Sequence, residues 1–103
     1  MMLYGAIGLL ETIGVAISII AADAMLKAAD ITIIKHETRD VALVTLMIGG
    51  DLSSVRTAIE VGATIAKKND SLLTSGVMPN PDLETNQFFQ KEVNSRWVSQ
   101  LVQ

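Results

Sequence analysis

Hydrophobic and polar positions along the chain outline six elements and a polar tail. Residues 3–12 (LYGAIGLLET) make a short apolar run with the length and character of a central strand. Residues 14–30 (GVAISIIAADAMLKAAD) follow, with Asp23, Lys27 and Asp30 at i, i+4 and i+7, one narrow stripe of a helix. Thr12 is the expected N-cap of that helix, and Asp23–Lys27 a correctly oriented i,i+4 pair. The rest of the segment is aliphatic or small, with six alanines. A helix with so little polar circumference must be covered on several sides. A sheet supplies one side, and part of the remaining cover is expected from another subunit.

Residues 31–35 (ITIIK) are β-branched and predict a second strand. Residues 36–40 (HETRD) read as a charged turn, and 41–48 (VALVTLMI) as a third strand, apolar on both faces and therefore buried. Gly49-Gly50 breaks that strand and Asp51 caps a second helix. There Leu52, Val55, Ile59, Gly62 with Ala63, and Ala66 recur at helical spacing, while Arg56, Glu60, Lys67 and Lys68 take the wet side. Residues 72–78 form a fourth strand, stopped by Pro79-Asn80-Pro81. From Asp82 the composition turns to Gln, Asn, Glu and Ser, yet Phe89, Val93, Trp97 and Leu101 recur every four residues, predicting an amphipathic C-terminal helix. The order β-α-β-β-α-β predicts an α+β sandwich of ferredoxin-like type, as one domain over 1–81 with an extension over 82–103. Both helices are expected on one sheet face, leaving the other for subunits or the tail.

Composition sharpens this picture. Half the residues are hydrophobic, 18% are charged and 4% aromatic, which is richer in Ala, Val and Ile than a small monomer needs and points to buried subunit interfaces. The net charge is −3 with no Lys/Arg cluster, so a nucleic-acid footprint is absent. The chain has no cysteine, which excludes disulfides, thiolate metal sites and Cys nucleophiles. Residues 1–22 are nearly uncharged, but no Lys or Arg precedes them and Glu11 interrupts them, so neither a signal peptide nor a membrane span is expected.

Chemistry-bearing residues are sparse. His36, the single histidine, reads as an exposed turn residue, and metal binding there would need ligands from other subunits. Gly5, Gly8 and Gly14 lack the spacing of a phosphate loop and fit close packing. Glu11 has no acid or nucleophile placed beside it and reads as a structural carboxylate. No catalytic constellation, metal site or cofactor site emerges.

Several segments together resemble the bacterial microcompartment (BMC) shell-protein domain, the family that tiles carboxysomes and metabolosomes. They are GAIGLLETIG, AADAMLKAADI, LVTLMIGGD followed by AIEVGA, and VMPNP, in order across residues 3–81. The resemblance implies a non-enzymatic structural protein of the bacterial cytoplasm. It implies a flat cyclic homohexamer that joins other shell proteins edge to edge around encapsulated enzymes, without nucleic acid or membrane as partner. The hairpin between the second and third strands would face the hexamer axis and line a pore for small metabolites, with Thr38, Arg39, Asp40, Val41 and Ala42 in the lining. Lys27 matches the family's edge lysine, and Pro79-Asn80-Pro81 its Pro-Arg-Pro edge motif, with Asn80 in place of the arginine. Asp30 stands where an asparagine is common. Asn80 has less reach than an arginine and no charge, which implies weaker or differently partnered lateral contacts. At the pore, Asp40-Val41-Ala42 replaces a Gly-Ser-Gly-like tip, and Arg39 and Asp40 would be multiplied into adjacent rings of opposite charge. Two other function classes fit the fold without the resemblance. One is an oligomeric regulatory module binding a small molecule between subunits, the other an enzyme on the same scaffold, against which the lack of an acid–base pair counts.

Overall fold

Alternation along the first strand sets the layers of the molecule. The computed structural model describes residues 3–39 and 42–87, in which β1 (Ala6–Ile13), α1 (Val15–Ala28), β2 (Thr32–Arg39), β3 (Leu43–Gly50), α2 (Leu52–Lys68) and β4 (Leu72–Pro79) follow in the expected order. The four strands form one antiparallel sheet in the order β2-β3-β1-β4, the ferredoxin-like arrangement. Residues 83–87 add a short helical turn, and the tail stripe Phe89, Val93, Trp97 and Leu101 lies outside the described residues.

Even-numbered residues of β1 face the helices. A Cβ on Gly8 would meet Ile59 and Val55 of α2, and one on Gly62 would meet Met25 of α1 and Leu10 of β1. The two glycines therefore let α2 settle closely on the sheet and on α1. Around them Ala6, Leu10, Ala21, Met25, Leu46, Ile48, Val55, Ala58 and Ile59 form the core. Odd-numbered Ile7, Leu9, Glu11 and Ile13 occupy the opposite face, since successive strand side chains alternate.

Local sequence explains α2 well. Asp51 accepts hydrogen bonds from the Ser54 backbone N–H at 2.9 Å and from the Ser54 hydroxyl at 2.9 Å. These bonds, the backbone one first, hold the Asp51 carboxyl below its ordinary range. A carboxyl whose folded-state pKa is depressed stabilises the fold above its unfolded value, and that contribution disappears as pH falls through the folded one. Asp51→Ala is therefore expected to lower the thermal midpoint at neutral pH. The gap from wild type should narrow as the solution is acidified below the usual carboxylate range, as thermal melts across pH would show.

Several local expectations are corrected. Thr12 does not cap α1: it lies within β1, 1% exposed, and its hydroxyl finds no hydrogen-bond partner among the described residues. The residue before α1 is Gly14, whose φ of 99° favours glycine. Its role is thus conformational, not close packing, since nothing lies within 4 Å of where its Cβ would be. Residues 36–39 are not a turn but the continuation of β2 to Arg39. Gly49 and Gly50 do not break β3, which runs through both. The ring of Tyr4 fills the space a Cβ on Gly49 would need.

Candidate functional site

Strand register sorts the residues singled out from the sequence into two groups at opposite ends of the sheet. Thr32 pairs with Gly49, and Ala6 pairs with both Gly50 and Pro79, so these positions mark one end. Asp30 belongs there, because its carbonyl oxygen lies 3.1 Å from where a Cβ on Gly50 would stand. Asn80 belongs there too, donating its backbone N–H to the Gly5 carbonyl at 2.9 Å in the left-handed conformation, φ 47°. Lys27 sits in the last turn of α1, three residues before Asp30.

Arg39 and Leu43 pair at the opposite end, where Leu43 also pairs with Ile13. Thr38 and Arg39 close β2, and Ala42 precedes β3, its carbonyl accepting the Gly14 N–H at 2.7 Å. Asp40 and Val41, at the tip of this hairpin, lie outside the described residues. From Thr32 to Arg39 is seven strand steps, about 23 Å at ~3.3 Å per residue. The structure thus places Lys27, Asp30, Pro79 and Asn80 at one end and Thr38, Arg39 and Ala42 at the other.

The electrostatics of each end differ. Lys27 is exposed and pairs with Asp23 at 2.8 Å within α1. The hydrogen bond to Asp23, helped by its charge, raises the Lys27 pKa, so its ammonium stays charged throughout the neutral range. At the hairpin end, Arg39 does not stand alone. Its guanidinium lies 3.9 Å from Glu37, which Lys35 meets at 2.9 Å. Register puts Lys35, Glu37 and Arg39 on the same face as Met47, Thr45 and Leu43, opposite the helices. On that face Thr45 also donates to Glu11 at 3.5 Å. Glu11 is thus tied to a neighbouring strand, in keeping with a structural carboxylate.

The turn expected over residues 36–40 hides this ladder from the sequence. The signal was present as the period-two series Lys35, Glu37, Arg39. The expected turn also misplaces His36, which lies in the strand with its Nε2 3.0 Å from the Ser18 hydroxyl. Ser18 in turn donates to the Val15 carbonyl at 2.6 Å, so the pair stitches α1 to the edge strand β2.

The other feature of consequence is α1 itself. Ser18, Ala21 and Met25 are its buried residues, whereas Ile19 and Ile20 are 56% and 54% exposed and Val15 and Leu26 are exposed beside them. Aliphatic groups on the outer flank of a helix leave an apolar surface of the kind that marks a protein–protein contact. No group of three or more His, Asp or Glu suited to a metal ion occurs among the described residues. No helix among them is long and apolar enough to cross a membrane.

The fold and the two ends define a ferredoxin-like α+β sandwich with a charged hairpin end and a Pro-Asn-Pro end. The BMC domain model matches residues 6–81, and the chain belongs to that family of bacterial microcompartment shell proteins. It is 37% identical over 83 residues to the microcompartment shell protein EutK of Escherichia coli (strain K12), covering 81% of this chain and 50% of EutK. It is 32% identical over 89 residues to the shell protein PduA of Citrobacter freundii, covering 86% of this chain and 96% of PduA. The chain thus spans about half the length of EutK but nearly all of PduA. Among solved structures, a microcompartments protein from Desulfitobacterium hafniense superposes with a TM-score of 0.76 at 30% identity, over 84% of this chain and 47% of that one. EutK and PduA are both bacterial microcompartment shell proteins.

Proposed function

We propose that this chain is a shell tile that closes into a flat cyclic homohexamer and joins other shell proteins edge to edge in a bacterial microcompartment. The observation that carries the reading is the separation of the two residue groups by the length of the sheet. A tile needs one end at its axis and the other at its rim. In this reading Thr38, Arg39, Asp40, Val41 and Ala42 line a central pore that passes small metabolites, and Lys27, Asp30, Pro79 and Asn80 meet a neighbouring hexamer. Exposed Ile19, Ile20 and Leu26 supply apolar surface for copies to cover. Arg39, drawn toward Glu37, gives the pore end a partly neutralised ring rather than a bare cationic one.

The test is assembly. Sedimentation velocity should give six-chain mass, and electron microscopy should show hexagonal sheets. Lys27→Ala is expected to keep the six-chain species and to lose the sheets, since Lys27 lies fully at the surface and is not needed by the protomer core. A single-chain mass at micromolar concentration would overturn the tile, and sheets from Lys27→Ala like those of wild type would overturn its edge role.

A further inference from the structure

The sheet face away from α1 and α2 holds a hollow of about 330 Å³ lined by Ile7, Leu9, Met47, Gly76, Val77 and Met78. It is the apolar half of that face, next to the Lys35–Glu37–Arg39 ladder. Ile7 and Met47 are 4% and 7% exposed there, although both helices lie on the other side. Gly76 leaves the floor open, with nothing within 4 Å of where its Cβ would be. We propose that the occupant of this hollow is the chain's own C-terminal stretch, residues 88–103, laid across the face as an amphipathic helix with Trp97 in the hollow.

Three observations direct the stretch to this place. The first is where the described chain leads. Asn86, 3% exposed, accepts the Tyr4 backbone N–H at 3.2 Å through its side-chain oxygen and donates to the Tyr4 carbonyl at 3.1 Å. This pair of hydrogen bonds between side chain and backbone fixes the chain beside the start of β1. The Tyr4 ring, over Gly49, stands on the same face as the hollow.

The second is reach. Sixteen helical residues extend about 24 Å at ~1.5 Å per residue, close to the ~26 Å of an eight-residue strand. Trp97 comes eleven residues after Asn86, about 16 Å along a helix. Leu9, in the hollow, comes five residues after Tyr4, about 17 Å along the strand. The third is chemistry. Phe89, Val93, Trp97 and Leu101 form the tail's apolar stripe, and an indole is the largest apolar body the chain can offer to a cavity of this size. Covering the half-buried Leu9 and the exposed Met78 with it removes apolar surface from water on both sides.

The chain has a single tryptophan and no cysteine, which makes the test direct. In the full-length protein, Trp97 emission should be blue-shifted and several-fold less quenched by acrylamide than that of an exposed indole. Leu9→Asp, which puts a charge into the hollow, should red-shift it and restore quenching. Gly76→Cys carrying a nitroxide should strongly quench Trp97 of the same chain. For comparison, labelled Gly76→Cys/Trp97→Phe subunits are mixed with unlabelled wild type, and these mixtures should show little quenching. An exposed, freely quenched Trp97 in wild type would overturn the proposal and leave the hollow to another protein. Quenching confined to the mixed subunits would overturn it in favour of a second copy's tail. Neither result would bear on whether the chain forms shell tiles.

Discussion

Gly8→Val is expected to abolish cooperative folding, and Gly8→Ala to cost about 1–3 kcal/mol. A Cβ at position 8 would lie 2.7 Å from Ile59 Cγ1 and 2.9 Å from Ile59 Cδ1, and also 2.9 Å from Val55 Cγ1. Either neighbour alone could turn away. Both are buried, one turn apart on the same side of α2, and both are struck from the same point. Relief therefore requires α2 to lift from β1, which would uncover Leu10 and loosen the Met25–Gly62 contact with α1. Valine adds two further methyls to that collision. Domains of this size have total stabilities of about 5–15 kcal/mol, so the larger substitution consumes most of the margin. Gly5→Ala is the matched control, because its Cβ would make only ordinary contacts, 3.6 Å from the Gly50 carbonyl oxygen and 3.7 Å from Asp51 Cα, and the change should be near neutral. Urea titrations followed by far-UV circular dichroism measure all three. A wild-type midpoint for Gly8→Val would show that α2 does not rest on β1 as closely as described.

The same contact shows what the sequence could and could not reveal. The apolar stripe of α2 and the acidic residue ahead of it were legible, since capping and 3.6-residue periodicity are local properties. Gly8 was legible as close packing, but its partners lie about fifty residues away in the chain. Gly49 was misread for the same reason. A double glycine normally weakens a strand, yet here the Tyr4 ring covers the spot. The polar end of β2 was lost for a different cause. An edge strand needs partners on one side alone, and its side chains found theirs in each other and in Ser18 instead of in a hydrophobic face. Polarity then imitates a turn. For the proposed site, Lys27 and Pro79-Asn80-Pro81 are named by motif alone, as what the family resemblance implies. That these gather at one end of the sheet, with Arg39 at the other, depends on strand register, which short motifs do not encode.

What was most legible is the odd character of α1, and it yields the second large effect. Ile19→Glu is expected to leave the protomer folded and to weaken oligomerisation by tenfold or more at each contact. Ile19 is 56% exposed in the single chain, so its side chain contributes little to the fold of one protomer. Val15 and Leu26 continue the same flank at helical spacing, i−4 and i+7, making a stripe that water should not reach in an assembled tile. Full burial of one isoleucine contributes about 1.5–3 kcal/mol; with 56% of Ile19 still to cover, assembly gains about 0.8–1.7 kcal/mol from it, roughly four- to twentyfold in an equilibrium constant. A carboxylate in its place must also lose its hydration or keep the seam open. In the proposed ring the contact would repeat around the axis, so the penalty would recur at every seam and the population should shift to single chains. Ile19→Val, which keeps most of the apolar surface, should assemble almost as wild type. Sedimentation velocity of the two variants side by side, with circular dichroism to confirm the fold, separates the outcomes. If Ile19→Glu keeps its oligomeric mass, this flank of α1 faces solvent in the assembly, and the cover for its aliphatic residues must be sought elsewhere than in a copy of the chain.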